Sequence, residues 1–267
     1  MLSDMVLLAI QDAILVLTPP QTCRTVQERL EQFIIMEDVE IEDITPRYAL
    51  FHVAGSQAAA ALEALGPAAN LPLWQGAATL WRGHELPVVR TDRCGEQGYD
   101  LLAPAEIADD LWQALHKAGG HPVGYEAWNV RRVEAGIPLF GVDMNESTLP
   151  LEAGLGDRAI SLTKGCYTGQ EVIHRIVSRG HTNRSLVGLR LSGDLLPAPR
   201  AAIGTEARAD AGWVTSAVHS FALQRGIALG YLRNEVATPG SLVTVHHETA
   251  PIPAEVTKLP FVEPRRA

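Results

Sequence analysis

Positive charge, cysteine and long apolar runs are all scarce in this sequence, and each shortage removes a class of function. Lysine and arginine number 22 against 31 acids, a net charge of −9, and no run of five basic residues occurs. A chain that coated nucleic acid or an anionic bilayer would carry the opposite balance, although a local basic pocket for a small anion stays open to it. The three cysteines, Cys23, Cys94 and Cys166, are widely spaced and form no Cys-x-x-Cys pair. That pattern fits a reducing compartment and argues against a disulfide scaffold. No apolar stretch reaches the ~18 residues of a membrane helix. The opening Met1-Leu2-Ser3-Asp4-Met5 has neither a basic n-region nor a small-residue cleavage site. The expectation is a cytoplasmic protein with no membrane association.

Familiar motifs are also missing. There is no Gly-x-x-x-x-Gly-Lys-Ser/Thr loop, no Gly-x-Gly-x-x-Gly after a strand, no His-Glu-x-x-His and no Gly-x-Ser-x-Gly. His246-His247 falls at a strand end, where neighbouring rings point to opposite faces, so the pair reads as solvated rather than as a metal site.

What is present is ordinary globular composition, 46% hydrophobic and 20% charged, enough to bury a core in one large domain or two. Short apolar runs at 5–10 and 13–17, joined by Gln11-Asp12, read as a tight β-hairpin. A helix is expected over 21–35, a strand with one wet face around Val39, Ile41 and Ile44, a strand over 48–54, and a helix over 57–65 ended by Gly66-Pro67. The order β-β-α-β-β-α is close to a ferredoxin-like α/β sandwich with something absent at its beginning. Residues 67–83 read as loop. Strands follow at 86–91 and 99–103, then a helix over 105–118 with Ile107, Leu111, Trp112 and Leu115 inward, and another over 124–136. Residues 137–159 are irregular. A short helix is expected from about Gly169 to Val177. From Asn183 onward short alternating strands (185–191, 204–207, 212–219, 227–232 and 242–246) predict a small β-barrel or sandwich, with a frayed tail at 262–267. The predicted fold is α+β: an α/β region over 1–165, a linker over 166–183 and a β-barrel over 184–260.

The densest chemistry is Lys164-Gly165-Cys166-Tyr167-Thr168-Gly169-Gln170-Glu171. A thiol just before a helix, two residues from an ammonium, has two influences that favour the thiolate. A small buried cysteine beside a helix cap is the competing reading. Gly165 and Gly169 admit backbone shapes other residues resist. Gln170 and Glu171 suit the first helical turn, and Glu171 to Arg175 is an i,i+4 pair. Cys23 and Cys94 lack such company and read as structural. Asp4 reads as a turn residue. Asp100 alternates with Tyr99 and Leu101 on a strand; in a pocket its carboxylate could grip a heterocycle's amino and ring N–H through two charge-assisted hydrogen bonds.

The motif Lys-Gly-Cys-Tyr-x-Gly-Gln-Glu at 164–171 resembles the signature of the YgfZ family, folate-binding relatives of the glycine-cleavage T-protein that serve iron–sulfur proteins. The resemblance extends over nearly the whole chain, through Gly95-Glu96-Gln97-Gly98-Tyr99-Asp100, Arg132-Val133-Glu134-Ala135-Gly136, Gly141-Val142-Asp143, Gly212-Trp213-Val214-Thr215-Ser216 and Ile227-Ala228-Leu229-Gly230-Tyr231. It implies a T-protein-like folate-binding region and a C-terminal barrel. By it, Asp100 takes the place of the acid that holds the pterin, Asp4 falls near the acid that contacts folate, and Arg132 lies close to the folate site. The chain departs from the T-protein pattern at Arg93, where a tyrosine is usual, and at Asp100, where glutamate is usual. Family members begin with a further strand-rich segment ahead of the point where Met1 stands. Its absence here leads us to expect a missing or mis-annotated upstream segment.

The function implied is a tetrahydrofolate-binding accessory factor for assembly or repair of iron–sulfur clusters. Cys166 would be the reactive group, poised by Lys164, with Tyr167, Gln170 and Glu171 holding the loop or meeting a partner. The ligand would be tetrahydrofolate or a one-carbon derivative, and the protein partners iron–sulfur clients or assembly proteins. The alternatives are a folate-dependent aminomethyltransferase, which would use Asp4 against the reacting amine, and a non-catalytic folate sensor or scaffold.

Overall fold

The computed structural model describes residues 1–10, 12–66 and 70–263. Gln11, Pro67 and residues 264–267, on which parts of the predicted hairpin turn, helix stop and frayed tail fall, lie outside the described residues. The chain divides into two compact units, residues 2–129 and residues 130–263 joined by Met1.

The first unit opens with an antiparallel hairpin, β1 (Val6–Ile10) and β2 (Ala13–Leu17), in the register Leu7 opposite Val16 and Ala9 opposite Ile14. A 3-10 turn at Pro20–Thr22, with proline at its start where no N–H is needed, leads into α1 (Cys23–Glu31). Next come β3 (Tyr48–Ala54), α2 (Ala58–Glu63), β4 (Gly76–Trp81), β5 (His84–Thr91), β6 (Gly98–Pro104) and α3 (Ala108–Lys117). The four strands form one antiparallel sheet in the order β3-β6-β5-β4. Alternate residues of β5 and β6, among them Leu86, Val88, Tyr99 and Leu101, pack with Leu62 of α2 and Leu111 of α3 to make the core.

Three sequence expectations change here. Residues 39–44 form no strand: Val39 is exposed, and the Asp43 carboxylate accepts from the Thr45 N–H at 2.9 Å, a side-chain turn that breaks the extended run. The stretch read as loop contains β4. Ile107, in the 3-10 turn just before α3, and Leu111 and Leu115 of α3 carry the buried face at four-residue spacing, while Trp112 sits one step round the helix, 45% exposed, with its ring 6.3 Å from that of Phe51.

In the second unit, α4 (Tyr125–Glu134), whose last turn belongs here, is followed by an irregular segment with the short α5 (Gly156–Ala159), then α6 (Gln170–Arg179). A closed barrel of six strands comes next: β7 (Arg184–Leu191), β8 (Ala202–Thr205), β9 (Arg208–Ser220), β10 (Arg225–Arg233), β11 (Leu242–Val245) and β12 (Ile252–Thr257), in the order β10-β7-β12-β11-β8-β9. The expected mixed α/β fold with a terminal barrel is what is found, with β12 as a strand the sequence reading lacked. In β12 the alternation is plain: Ile252, Ala254 and Val256 are buried and Pro253 and Glu255 exposed. β10 is buried along nearly its whole length because its two faces serve two cores. Ala228 and Leu232 fill the barrel; Ile227 and Leu229 pack with Val133 of α4 and Phe261. Gly212 is required where β9 meets β10, since a Cβ there would stand 1.9 Å from the Tyr231 carbonyl oxygen. Among the described residues no helix is long and apolar enough to cross a membrane.

Candidate functional site

Register builds the first cluster. β3 and β6 pair so that His52 stands directly opposite Asp100, and cross-strand partners share a face. Asp100 is 1% exposed. His52 Nδ1 lies 2.8 Å from Asp100 Oδ1, and the Thr91 hydroxyl donates weakly to the same oxygen at 3.4 Å. The other oxygen, Oδ2, accepts from Arg93 through Nε at 2.7 Å and through the terminal NH2 group at 2.6 Å. Arg93 reaches it because the β5–β6 loop turns tightly at Gly95, whose φ is +76° and whose N–H bonds the Asp92 carbonyl at 2.9 Å. Gly98 makes room for the imidazole; a Cβ there would sit 2.7 Å from His52 Cε1.

The charges follow from this packing. Burial pushes Asp100 upward, but the hydrogen bonds and charges of His52 and Arg93 outweigh it and hold its carboxyl below the usual range. Burial likewise works against a charged His52. The Asp100 hydrogen bond, the Cys94 contact and the Asp100 charge overcome it and raise His52 to about 9. At neutral pH the cluster therefore holds one carboxylate between an imidazolium and a guanidinium. Sequence reasoning singled out Asp100 but missed His52, since a pairing across 48 positions leaves no local signal.

Asp4, the other acid expected near folate, is exposed in the segment ahead of β1. Beside it, Ser3, Thr18 and Thr22 bring three hydroxyls into mutual hydrogen-bond distance at 2.7, 2.8 and 2.9 Å, a cluster the sequence did not announce.

The remaining candidates lie in the second unit. Arg132 is 1% exposed and its guanidinium is used inside the unit, donating to Asp143 Oδ2 at 2.6 Å, the Ile137 carbonyl at 3.1 Å and the Ser216 hydroxyl at 2.9 Å. Thr215 and Ser216 both donate to the other Asp143 oxygen. Glu134 accepts from Ser220 at 2.6 Å and pairs with Arg131.

The 164–171 stretch is open by comparison. Cys166 is exposed and its thiol is free of any disulfide. The Lys164 ammonium lies over the Tyr167 ring, 4.8 Å from its centroid, a cation–π contact that holds the loop together. Gly169 caps α6 at φ +87°, so the left-handed shape expected of a glycine is used there; Gly165 has open space around it and no positive φ. Gln170 begins α6 and approaches His174 at 3.3 Å, and Glu171 pairs with Arg175 one turn on, as the spacing predicted.

The GCVT N-terminal domain model matches residues 1–164, and the glycine cleavage T-protein C-terminal barrel domain model matches residues 184–263. An aminomethyltransferase of Halothermothrix orenii is 34% identical over 230 residues, 84% of this chain and 63% of that protein. An aminomethyltransferase of Rubrobacter xylanophilus is 36% identical over 234 residues, 86% and 61%. A putative chloroplastic transferase of Arabidopsis thaliana is 30% identical over 260 residues, 96% and 59%. The chain thus spans about three fifths of the length of these relatives. In fold it is similar to the crystal structure of glycine cleavage system aminomethyltransferase T from Bartonella henselae, with a TM-score of 0.86 at 24% identity, over 98% of this chain and 72% of that one. Since matched models cover both the first 164 residues and the barrel, the chain belongs to the glycine cleavage T-protein family.

Proposed function

We propose that this chain binds tetrahydrofolate, or a one-carbon derivative of it, at Asp100 and serves in the cytoplasm as an accessory factor for assembly or repair of iron–sulfur clusters, with Cys166 as its reacting group. The observation that carries the reading is the complete 164–171 motif, with its thiol exposed in a loop ahead of α6.

The donor set at Asp100 suits the ligand. The amino and ring N–H edge of a pterin is a cyclic guanidine, and Asp100 already accepts a guanidinium fork from Arg93. Arg93 thus stands where the ligand edge would lie. Its side chain is 32% exposed, so it can swing to solvent and leave Oδ2 to the ligand. When bound, the folate would supply a carrier for one-carbon units. Asp100 would hold and orient the ring, His52 would keep the carboxylate charged, and Cys166 would present its sulfur to a client. Substituting Cys166→Ser and assaying an iron–sulfur enzyme in cells lacking the native protein tests this. Activity falls if Cys166 reacts, and full activity would sink the role of the thiol.

The names of the relatives favour a second reading, a folate-dependent aminomethyltransferase with Asp4 beside the reacting amine. Purified protein incubated with an aminomethyl-lipoyl carrier and tetrahydrofolate decides it, because only this reading yields methylene-tetrahydrofolate.

A further inference from the structure

The function proposed above leaves two of the three free cysteines, Cys23 and Cys94, unused. Cys94 is 5% exposed, and its Sγ lies 3.9 Å from His52 Nε2, within hydrogen-bond reach for sulfur. The far side of the same ring is held by Asp100 at 2.8 Å. Cysteine, histidine and aspartate thus stand in series, each next to the partner its chemistry needs. We propose that Cys94 is a reactive thiol, served at its sulfur by the His52 ring that Asp100 positions, and that it takes small hydroperoxides.

The arrangement supports this at three points. The ring is fixed: Asp100 accepts from Nδ1, which turns Nε2 toward the sulfur, and Gly98 leaves the space the ring occupies. The ring is cationic and its Nε2 faces the sulfur, so a proton donor stands beside the reacting atom. The charged groups that face it are Asp100 from β6, Cys94 from the β5–β6 loop and, through Asp100, Arg93. The sulfur is nearly enclosed, which selects a reagent whose attacked atom is a terminal oxygen over a bulky electrophile.

The step balances. The thiol proton leaves to solvent. A sulfur lone pair attacks the terminal oxygen of the hydroperoxide; the S–O bond forms as the O–O bond breaks. His52 protonates the departing alkoxide, or hydroxide when the oxidant is hydrogen peroxide, and recovers its proton from solvent. Sulfur loses two electrons and the peroxide gains two, giving a sulfenic acid and an alcohol or water. His52 touches the reacting sulfur; Asp100 acts through His52 and is a positioning residue.

The site does not rest on the folate reading, and the test uses folate-free protein. The full chain is treated with hydrogen peroxide at neutral pH, the sulfenic acid is trapped with a cyclic 1,3-dione, and each cysteine peptide is followed by mass spectrometry. Exposure alone would place Cys94, the buried one, last. The expected result is that Cys94 is labelled about tenfold faster than the half-buried Cys23, because His52 stands at the Cys94 sulfur. His52→Gln abolishes that lead, and Asp100→Asn lowers the pH above which the lead disappears, because Asp100 raises His52, a change a merely structural role would not produce. Cys94 labelled no faster than Cys23 overturns the proposal in the wild-type protein, whatever the variants do. Undiminished labelling in a folded His52→Gln variant overturns it as well.

Discussion

Replacing Arg93 by alanine should act in opposite directions on stability and on folate affinity. In the folded protein Arg93 supplies two short hydrogen bonds to one oxygen of a carboxylate that is 1% exposed. Removing one partner of a fully buried pair costs about 3–5 kcal/mol. Here the guanidinium is partly solvated and His52 stays on the other oxygen, so the loss should be that of a charge-assisted hydrogen bond, about 1.5–3 kcal/mol. Thermal unfolding should show a lowered midpoint. The same side chain occupies the edge a pterin would use, so a ligand must displace it. If the closed arrangement is favoured by that same 1.5–3 kcal/mol, the open form is roughly one molecule in ten to one in a hundred, and apparent affinity is reduced by that factor. Arg93→Ala should therefore bind tetrahydrofolate about 10- to 100-fold more tightly, measured by anaerobic calorimetry. Arg93→Lys, which keeps the charge but loses the fork, should fall between. Asp100→Asn should bind weakly with or without Arg93. A folded Arg93→Ala variant with unchanged or weaker affinity would refute the idea that Arg93 stands in for the ligand.

Three further outcomes follow from the same physics. His52 is raised in the folded state, so its contribution is fully present below its unfolded value near 6.5 and disappears as pH rises through about 9. Asp100 is lowered, so its contribution is present above its ordinary range and disappears in acid. Denaturant titrations should show stability falling between about pH 6.5 and 9 by up to roughly 3 kcal/mol, and His52→Gln should flatten that decline. Thr79→Val should stabilise the first unit by about 1 kcal/mol, because Thr79 Oγ1 is buried with no hydrogen-bond partner among the described residues, beside a small cavity lined by Leu62, Trp81, Leu86 and Leu111; an unchanged midpoint in thermal unfolding would show that the hydroxyl is satisfied in solution. Asp143→Ala should cost about 3–5 kcal/mol, since it removes the carboxylate that pairs with the buried Arg132 guanidinium and accepts from two hydroxyls at once, and loss of the cooperative barrel transition would be its signature.

How much of this was legible in the sequence depended on range. β3, β5 and β6 were readable because their alternation is written in neighbouring residues, and the barrel because its strands are short and separated by turn residues. β4 was not, since Gly76-Ala77-Ala78 lacks the branched side chains that mark strands and becomes one only by pairing with β5. β12 was obscured by Pro253. The 39–44 segment failed the other way: its apolar residues looked like a wet strand, yet no partner strand pairs with it among the described residues and a side-chain turn interrupts it. The candidate site followed the same rule. The motif at 164–171 could be seen because it is continuous. The His52–Asp100 pairing and the Arg132–Asp143–Ser216 network join residues as many as 84 positions apart, and only register brings them together.

Burial then separates the two arms of the proposed function. Three of the buried carboxylates, Asp100, Glu134 and Asp143, already have partners on both oxygens, in keeping with the cost of an unpaired charge in a low-dielectric interior. A ligand that uses Asp100 must therefore exchange with Arg93, and binding there is a competition whose outcome depends on which guanidine-like edge fits the carboxylate better. Cys166 carries no such condition. Its sulfur is exposed, and Lys164 beside it is engaged with the Tyr167 ring, so meeting a client requires no buried group to give up its partner. The thiol arm is thus available in the folded chain as it stands, whereas the folate arm is set by the strength of one arginine contact, and a single substitution at Arg93 adjusts the second without touching the first.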